Sequence, residues 1–185
     1  MMFARTKRLT LRPGWPEDAH ALSRAIAHDT VVTRLARAPW PYTLADAEAF
    51  LGQPRGAAQP SFLICAREGD TAEIVGGIGI HHETDGTHQL GYWLTPTVWG
   101  RGYATEAGHA VIAMARHALG YKRLHAWHFV DNPASARVLA KLGFRPTGRI
   151  EPRRSIARGG VAPGANYALV LDEDNETDDP MRMAA

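Results

Sequence analysis

Polar and apolar residues alternate near the start of the chain, where Leu9 and Leu11 fall between Arg8, Thr10 and Arg12. That period of two predicts a half-buried strand. The period then lengthens: Pro16, Glu17 and Asp18 open a helix whose apolar stripe is Ala19, Leu22 and Ile26, with its acids in the first turn, where the helix dipole favours them. After the turn Pro39-Trp40-Pro41-Tyr42, Thr43 and Asp46 have capping-box spacing and start a short helix that ends near Leu51. Three strand-like runs follow at 62–66, 74–80 and 89–94, separated by turn residues at 67–70 and 85–87, which predicts an antiparallel meander. Between 105 and 119, Ala107, Ala110, Val111, Met114, Ala115 and Ala118 keep the helical period, and Gly120 sits where a left-handed stop is wanted. Residues 123–130 read as a strand. Asn132 and Pro133 suit an N-cap and first helical position, with Val138, Leu139 and Leu142 as the buried stripe and Gly143 as the end. Residues 167–171 form the last strand. The order β-α-α-β-β-β-α-β-α-β predicts an α/β (α+β) fold, a mostly antiparallel sheet with helices on both faces.

Composition narrows the classes. The 185 residues are 45% hydrophobic and 22% charged, which suits one compact domain over 1–171. The longest apolar run, at 110–115, is far too short to cross a membrane, and no apolar stretch follows the first charged residues as a signal peptide would require. The single Cys65 excludes an intramolecular disulfide and a cysteine-rich zinc site, so a reducing, cytoplasmic setting is expected. Net charge is +2, but the segment from Asp172 holds six acids against Arg182. That leaves 20 basic and 13 acidic residues, a net +7, in 1–171. The tail 172–185 is expected to be solvated and frayed, and a basic body suits an anionic ligand. His125 and His128 lie three apart on a strand and so face opposite ways; no metal is expected. Arg149, Arg153, Arg154 and Arg158 read as a solvated loop, and neither nucleic acid nor membrane is an expected partner.

The stretch with chemistry in it is Trp99-Gly100-Arg101-Gly102-Tyr103-Ala104-Thr105-Glu106, after a strand and opening the longest helix. Glycines at 100 and 102 let the backbone turn tightly and leave amides uncovered, so several N–H groups can converge on one anion at the positive end of the helix dipole. That is a pyrophosphate cradle. It lacks the Lys-Ser or Lys-Thr of a nucleotide triphosphate loop, and Thr105 stands where the dinucleotide fingerprint needs a small residue.

This stretch, with Leu90-Gly91-Tyr92-Trp93-Leu94 before it and Asn132-Pro133-Ala134-Ser135 and Lys141-Leu142-Gly143-Phe144 after it, resembles the GNAT superfamily of acyl-CoA-dependent N-acetyltransferases. The opening Arg8-Leu9-Thr10-Leu11-Arg12-Pro13 is similar to the first strand of its RimJ/RimL-type subgroup. The resemblance implies acetyl-CoA as co-substrate and a primary amine as acceptor, either a protein N-terminus or a small molecule, with the chain a monomer or homodimer. It implies that two strands splay at the acyl-CoA site. Trp93, Leu94 and Thr95 would meet the pantetheine arm, Trp99, Gly100, Arg101, Gly102, Tyr103, Ala104 and Thr105 the pyrophosphate, and Asn132 the cofactor arm near the reacting centre. Ser135 would sit by the thioester sulfur.

Two departures stand out. Leu139 occupies the position where many members place a tyrosine general acid, which leaves Ser135 as the proton donor. The subgroup's glutamate base falls at Gln89 or Pro96 here, so Glu83, beside His81 and His82, and His88 become the candidate bases, Glu83 preferred. Trp15, Trp40 and Tyr42 are candidates to line the acceptor entrance. The alternatives are a CoA-binding protein without catalysis and an enzyme that acetylates a small amine or antibiotic.

Overall fold

The computed structural model describes residues 3–54, 56, 59–67 and 72–171. The acidic tail and the turn residues 68–70 lie outside them. The strands are β1 (Ala4–Arg5), β2 (Leu9–Arg12), β3 (Ser61–Ala66), β4 (Glu73–His82), β5 (His88–Leu94), β6 (Arg123–Phe129), β7 (Arg145–Ser155) and β8 (Gly160–Val170). The helices are α1 (Ala19–Ile26), α2 (Asp29–Val32), α3 (Leu44–Leu51), α4 (Tyr103–His117) and α5 (Pro133–Lys141). All eight strands form one sheet in the order β1-β2-β3-β4-β5-β6-β8-β7, antiparallel except where β5 meets β6 in parallel.

Alternation along the strands feeds two cores. Leu9, Leu11, Phe62, Ile64, Ile78 and Leu90 pack with Tyr103, Ala107 and Val111 of α4 and with Leu139 and Leu142 at α5. On the other face Leu63, Cys65 and Ile74 meet Ala19 and Leu22 of α1 and Ala47 and Leu51 of α3. The expected sheet with helices on both faces is therefore present, and the expected meander is β3-β4-β5, with β2 added antiparallel beside β3. Local signals behave as their chemistry predicts. Thr43 and Asp46 close a reciprocal capping box on α3, and Gly120 and Gly143 adopt φ of +66° and +86° beyond the ends of α4 and α5.

Two readings are corrected. The segment holding Arg149, Arg153 and Arg154 is the edge strand β7 and not a loop, paired with β8 from Arg145 opposite Ala168 to Ser155 opposite Gly160. From Arg145 to Ile150 its residues are exposed on both sides, only Ser155 at its end is buried, and it contains Pro146 and Pro152, so the sequence shows neither an apolar alternation nor strand composition. An edge strand tolerates both because one of its sides forms no ladder. The final strand accordingly begins at Gly160, not near 167. The short elements β1 and α2 carry too few residues to show any period.

The centre of the sheet is tight at Gly76, which sits opposite Leu94. A Cβ there would overlap the carbonyl oxygen of Trp93 and come within 2.6 Å of the Leu94 side chain. Backbone cannot yield as a side-chain tip can, so Gly76→Ala is expected to destabilise by about 1–3 kcal/mol. For a chain of this size thermal unfolding should then fall by about 2–12 °C.

Candidate functional site

β5 and β6 pair at one register position, Gln89 opposite His125, and part beyond it. The parting opens a cleft of ≈ 1320 Å³ lined by β5 on one side and by Trp127, Asn132 and Ser135 on the other. The Thr95 N–H donates to Val75 O at 2.8 Å, on the β4 side. Since N–H groups alternate in direction along a strand, that of Leu94 points away from β4, toward the gap. Trp99 braces the exit from β5, its indole N–H donating to Leu94 O at 2.9 Å.

The cradle follows. Gly100 and Gly102 have φ of +79° and +80°, values that no other residue type adopts among the described residues. Gly102 is the N-cap of α4, and Glu106 N is the amide that returns to its carbonyl, at 3.0 Å. The amides of Tyr103, Ala104 and Thr105 precede it and have no intrahelical acceptor. A Cβ at Gly100 would meet nothing within 4 Å, and one at Gly102 only the Arg8 guanidinium at 3.6 Å. Open space, converging N–H groups and a neighbouring cation fit a pyrophosphate. Trp99, Gly100, Gly102, Tyr103, Ala104 and Thr105 all border the cleft, as do Trp93 and Leu94. Thr95 and Arg101 do not. Thr95 is buried and its hydroxyl lies 3.4 Å from His28 Nε2, while the Arg101 carbonyl accepts from Arg8 Nη1 at 2.9 Å.

Midway along β5 stands Tyr92, which sequence reasoning did not assign to the site, paired with the expected Ser135. Tyr92 Oη lies 2.7 Å from Ser135 Oγ and also donates to Ser135 O at 3.3 Å. Burial pushes the Tyr92 phenol up to about 12, so it keeps its proton at neutral pH. In sequence, Leu90, Tyr92 and Leu94 share one face and read as core. Only the departure of β6 turns that face into a cleft wall. Leu139, where a tyrosine was wanted, is 1% exposed and belongs to the core, so the phenol near Ser135 comes from β5 instead. Asn132 is the N-cap residue of α5, yet its side chain makes no capping hydrogen bond, and it lines the cleft.

The titratable groups divide. Glu83 and His81 border the cleft, His81 opposite Gln89 in the β4–β5 register. Protein crowding around the His81 imidazole lowers its pKa, and Arg37 lowers it further, against the opposing effect of Glu83. The residue is nonetheless exposed to solvent. His88 is not brought to the cleft: its ring stacks on Tyr121 at 3.7 Å and meets His82 edge-on at 4.2 Å. Tyr42 lines the cleft; Trp15 lies under the Arg12 guanidinium at 4.2 Å and Trp40 is exposed, neither of them on its wall.

Glu106 fastens the cradle helix to the edge of the sheet. Its carboxylate accepts from Thr6 Oγ1 at 2.6 Å, Arg8 N at 2.8 Å and Arg8 Nε at 2.7 Å. Burial raises its pKa, but those hydrogen bonds and the Arg8 charge outweigh that and hold it below the usual carboxylate value. A carboxyl depressed in the folded state contributes stability above its unfolded pKa, near ~4.3, and loses it as pH falls through the folded value. Glu106→Gln is therefore expected to lower the melting temperature at pH 7. At about 1.5–3 kcal/mol for hydrogen bonds to a charge, the drop is about 3–12 °C. The gap from wild type should narrow as the scan is repeated at progressively acid pH.

The acetyltransferase (GNAT) domain model matches residues 8–145. YoaA of Bacillus subtilis (strain 168), named as an uncharacterized N-acetyltransferase, is 35% identical over 104 residues, which are 55% of this chain and 58% of YoaA. This chain thus matches little more than half the length of that relative. YnaD of the same organism, also named as an uncharacterized N-acetyltransferase, is 25% identical over 174 residues, 94% of this chain and 99% of YnaD. Among solved structures, Mycobacterium smegmatis RimJ in complex with CoA-disulfide superposes with a TM-score of 0.79 at 23% identity, covering 94% of this chain and 89% of RimJ.

Proposed function

The chain belongs to the GNAT acetyltransferase family, and on that premise we propose that it moves the acetyl group of acetyl-CoA to a primary amine by direct attack in a ternary complex. The observation that carries the reading is the continuity of the cleft. A phosphate cradle at Gly100–Thr105 leads along the free edge of β5 to the Tyr92–Ser135 pair, with His81 and Glu83 on the wall beyond. Each stage matches a need of thioester aminolysis.

In that reaction the amine nitrogen bonds to the acetyl carbon, the carbon–sulfur bond breaks, one amine proton leaves and the thiolate gains a proton. The Leu94 N–H faces the gap and is placed to donate to the carbonyl oxygen as it becomes an oxyanion. With the Tyr92 proton directed to Ser135 Oγ at 2.7 Å, the serine proton is free for the leaving sulfur. The amine proton passes to Glu83 or His81. His81 stays neutral at pH 7, because its pKa lies below the ordinary value near ~6.5, and only a neutral imidazole can accept. An acceptor α-amine, with a pKa of about 7.7–8.0, already offers free amine at neutral pH, whereas a lysine near ~10.4 offers little. A protein N-terminus or a small amine of similar basicity is therefore the proposed acceptor class.

Two measurements test this. Acetyl-CoA at a hundred times its dissociation constant is expected to add about 2.7 kcal/mol, which raises the melting temperature by about 5–11 °C. Gly102→Glu should remove the shift, because it puts a charged side chain in the phosphate approach and strains a left-handed position. An amine and peptide panel should then consume the thioester, with mass spectrometry reading the products. If acetyl-CoA produces no shift, or no amine drives its consumption, the reading fails.

Ser135→Ala should lower kcat by about ten- to a hundred-fold with acetyl-CoA affinity little changed, since its bond strengthens only as charge develops on sulfur. Tyr92→Phe should lose less, because it removes the group behind the donor. Turnover within two-fold of wild type in Ser135→Ala returns that serine to the helix surface.

A further inference from the structure

The lining of the cleft is unbalanced in charge. Arg34, Arg37, Arg137, Lys141, Arg153 and Arg154 border it, against Asp46 and Glu83 among the described residues. Part of this is already engaged. The Arg34 guanidinium lies over the Trp99 ring at 4.9 Å, Arg153 pairs with Glu151 at 2.9 Å, and Asp46 is held in the capping box of α3. Arg37 and Arg154 have no ion pair or side-chain hydrogen bond with any described residue.

Tertiary contacts put those two on adjoining segments. Ile156 N donates to Ala36 O at 3.0 Å, and the fully buried Ser155 donates from Oγ to Leu35 O at 2.8 Å. The end of β7 is thereby fastened to the loop after α2, which brings Arg154 to the segment that carries Arg37. That segment runs from Trp99 at the cradle, over which Arg34 lies, toward His81. Arg37 acts on His81 through its charge, and His81 stands opposite Gln89, at the start of β5. The cradle follows Leu94 at the strand's other end, five residues and so about 17 Å away. An anion that Arg37 meets beside His81 is therefore at the end of β5 away from the cradle, where the second substrate and not the pyrophosphate would bring it.

We infer that the acceptor amine carries an anionic group, a carboxylate or a phosphate, which Arg37 and Arg154 bind at the end of the cleft opposite the cradle. This rests on the acetyltransferase reading above and adds the charge of the acceptor to it. A guanidinium binds either anion through its planar fork of N–H donors, so both belong to one chemical class. The group sits beside the wall formed by His81 and Glu83, and so the anchor orients the amine toward the parted strands. Arg37 and Arg154 on that side disfavour an acceptor with a second positive charge there.

Matched acceptors test it. Peptides with one N-terminus and either a glutamate or a glutamine at the second position form one pair; phosphoserine and serine at that position form another. The anionic member of at least one pair should have a kcat/KM about five-fold or more above its neutral twin, and the ratio should rise as salt is lowered. The two pairs separate carboxylate from phosphate. The double variant Arg37→Gln, Arg154→Gln should bring the ratio close to one, while the charge-keeping pair Arg37→Lys, Arg154→Lys retains most of it. Equal rates on both members of both pairs, or a preference that survives the glutamine variant, overturns the inference and leaves acetyl transfer standing. Acetyl-CoA binding without acetylation of any amine overturns both.

Discussion

The parting of β5 from β6 is the constraint on which the rest of this structure depends. Two strands in register satisfy each other's backbone groups, and separating them in an interior exposes N–H and C=O groups that must find other partners. Here the separation is tolerated because each strand is secured on its far side. β5 keeps its full antiparallel ladder with β4, from Gly76 opposite Leu94 to His82 opposite His88, and β6 keeps its own with β8 from Arg123 to Phe129. The gap is a stable feature of the sheet, with a free backbone edge available to a ligand that brings amides of its own.

Around that gap the molecule fixes the parts that would otherwise be loose. The cradle lies in a turn built on two left-handed glycines, and it is immobilised from outside by Glu106 reaching Thr6 and Arg8. The loop after α2 is tied to the end of β7 through Ser155 and Ile156, and Arg158 crosses to Asp131 with two bonds of 2.7 and 3.0 Å. Elements far apart in the chain thus share the rim of one cleft. A positioned rim suits the proposed ternary complex, because little orientational freedom is left to lose when two substrates meet.

The electrostatic arrangement runs along the same axis. Helix-end amides and Arg8 make one end positive, the middle is neutral and holds a protonated phenol against a serine, and the far end carries arginines beside a neutral imidazole. The proposed proton donor, Ser135, and the proposed acceptors, His81 and Glu83, therefore occupy separate places. Neither depends on a strongly shifted carboxylate, which is consistent with an acceptor amine that needs only modest help to lose its proton.

The sequence alone determined most of what rests on local physics. The α4 and α5 helices follow from a 3.6-residue period with glycine stops, the meander from apolar runs between turn residues, and the cradle from two glycines before a helix start, because each is specified by neighbours within a few positions. The edge strand β7 was hidden because its exposed, proline-bearing residues carry no period, and its strand state is imposed by β8. The site was legible in part: Ser135, Asn132 and Glu83 reach the cleft, whereas Thr95 bonds back to β4 and His88 turns to Tyr121. Tyr92 and His81 joined it only in three dimensions, since a residue on a buried or outward strand face becomes a cleft wall when the neighbouring strand leaves. That departure is a property of the whole sheet, and no window of the chain encodes it.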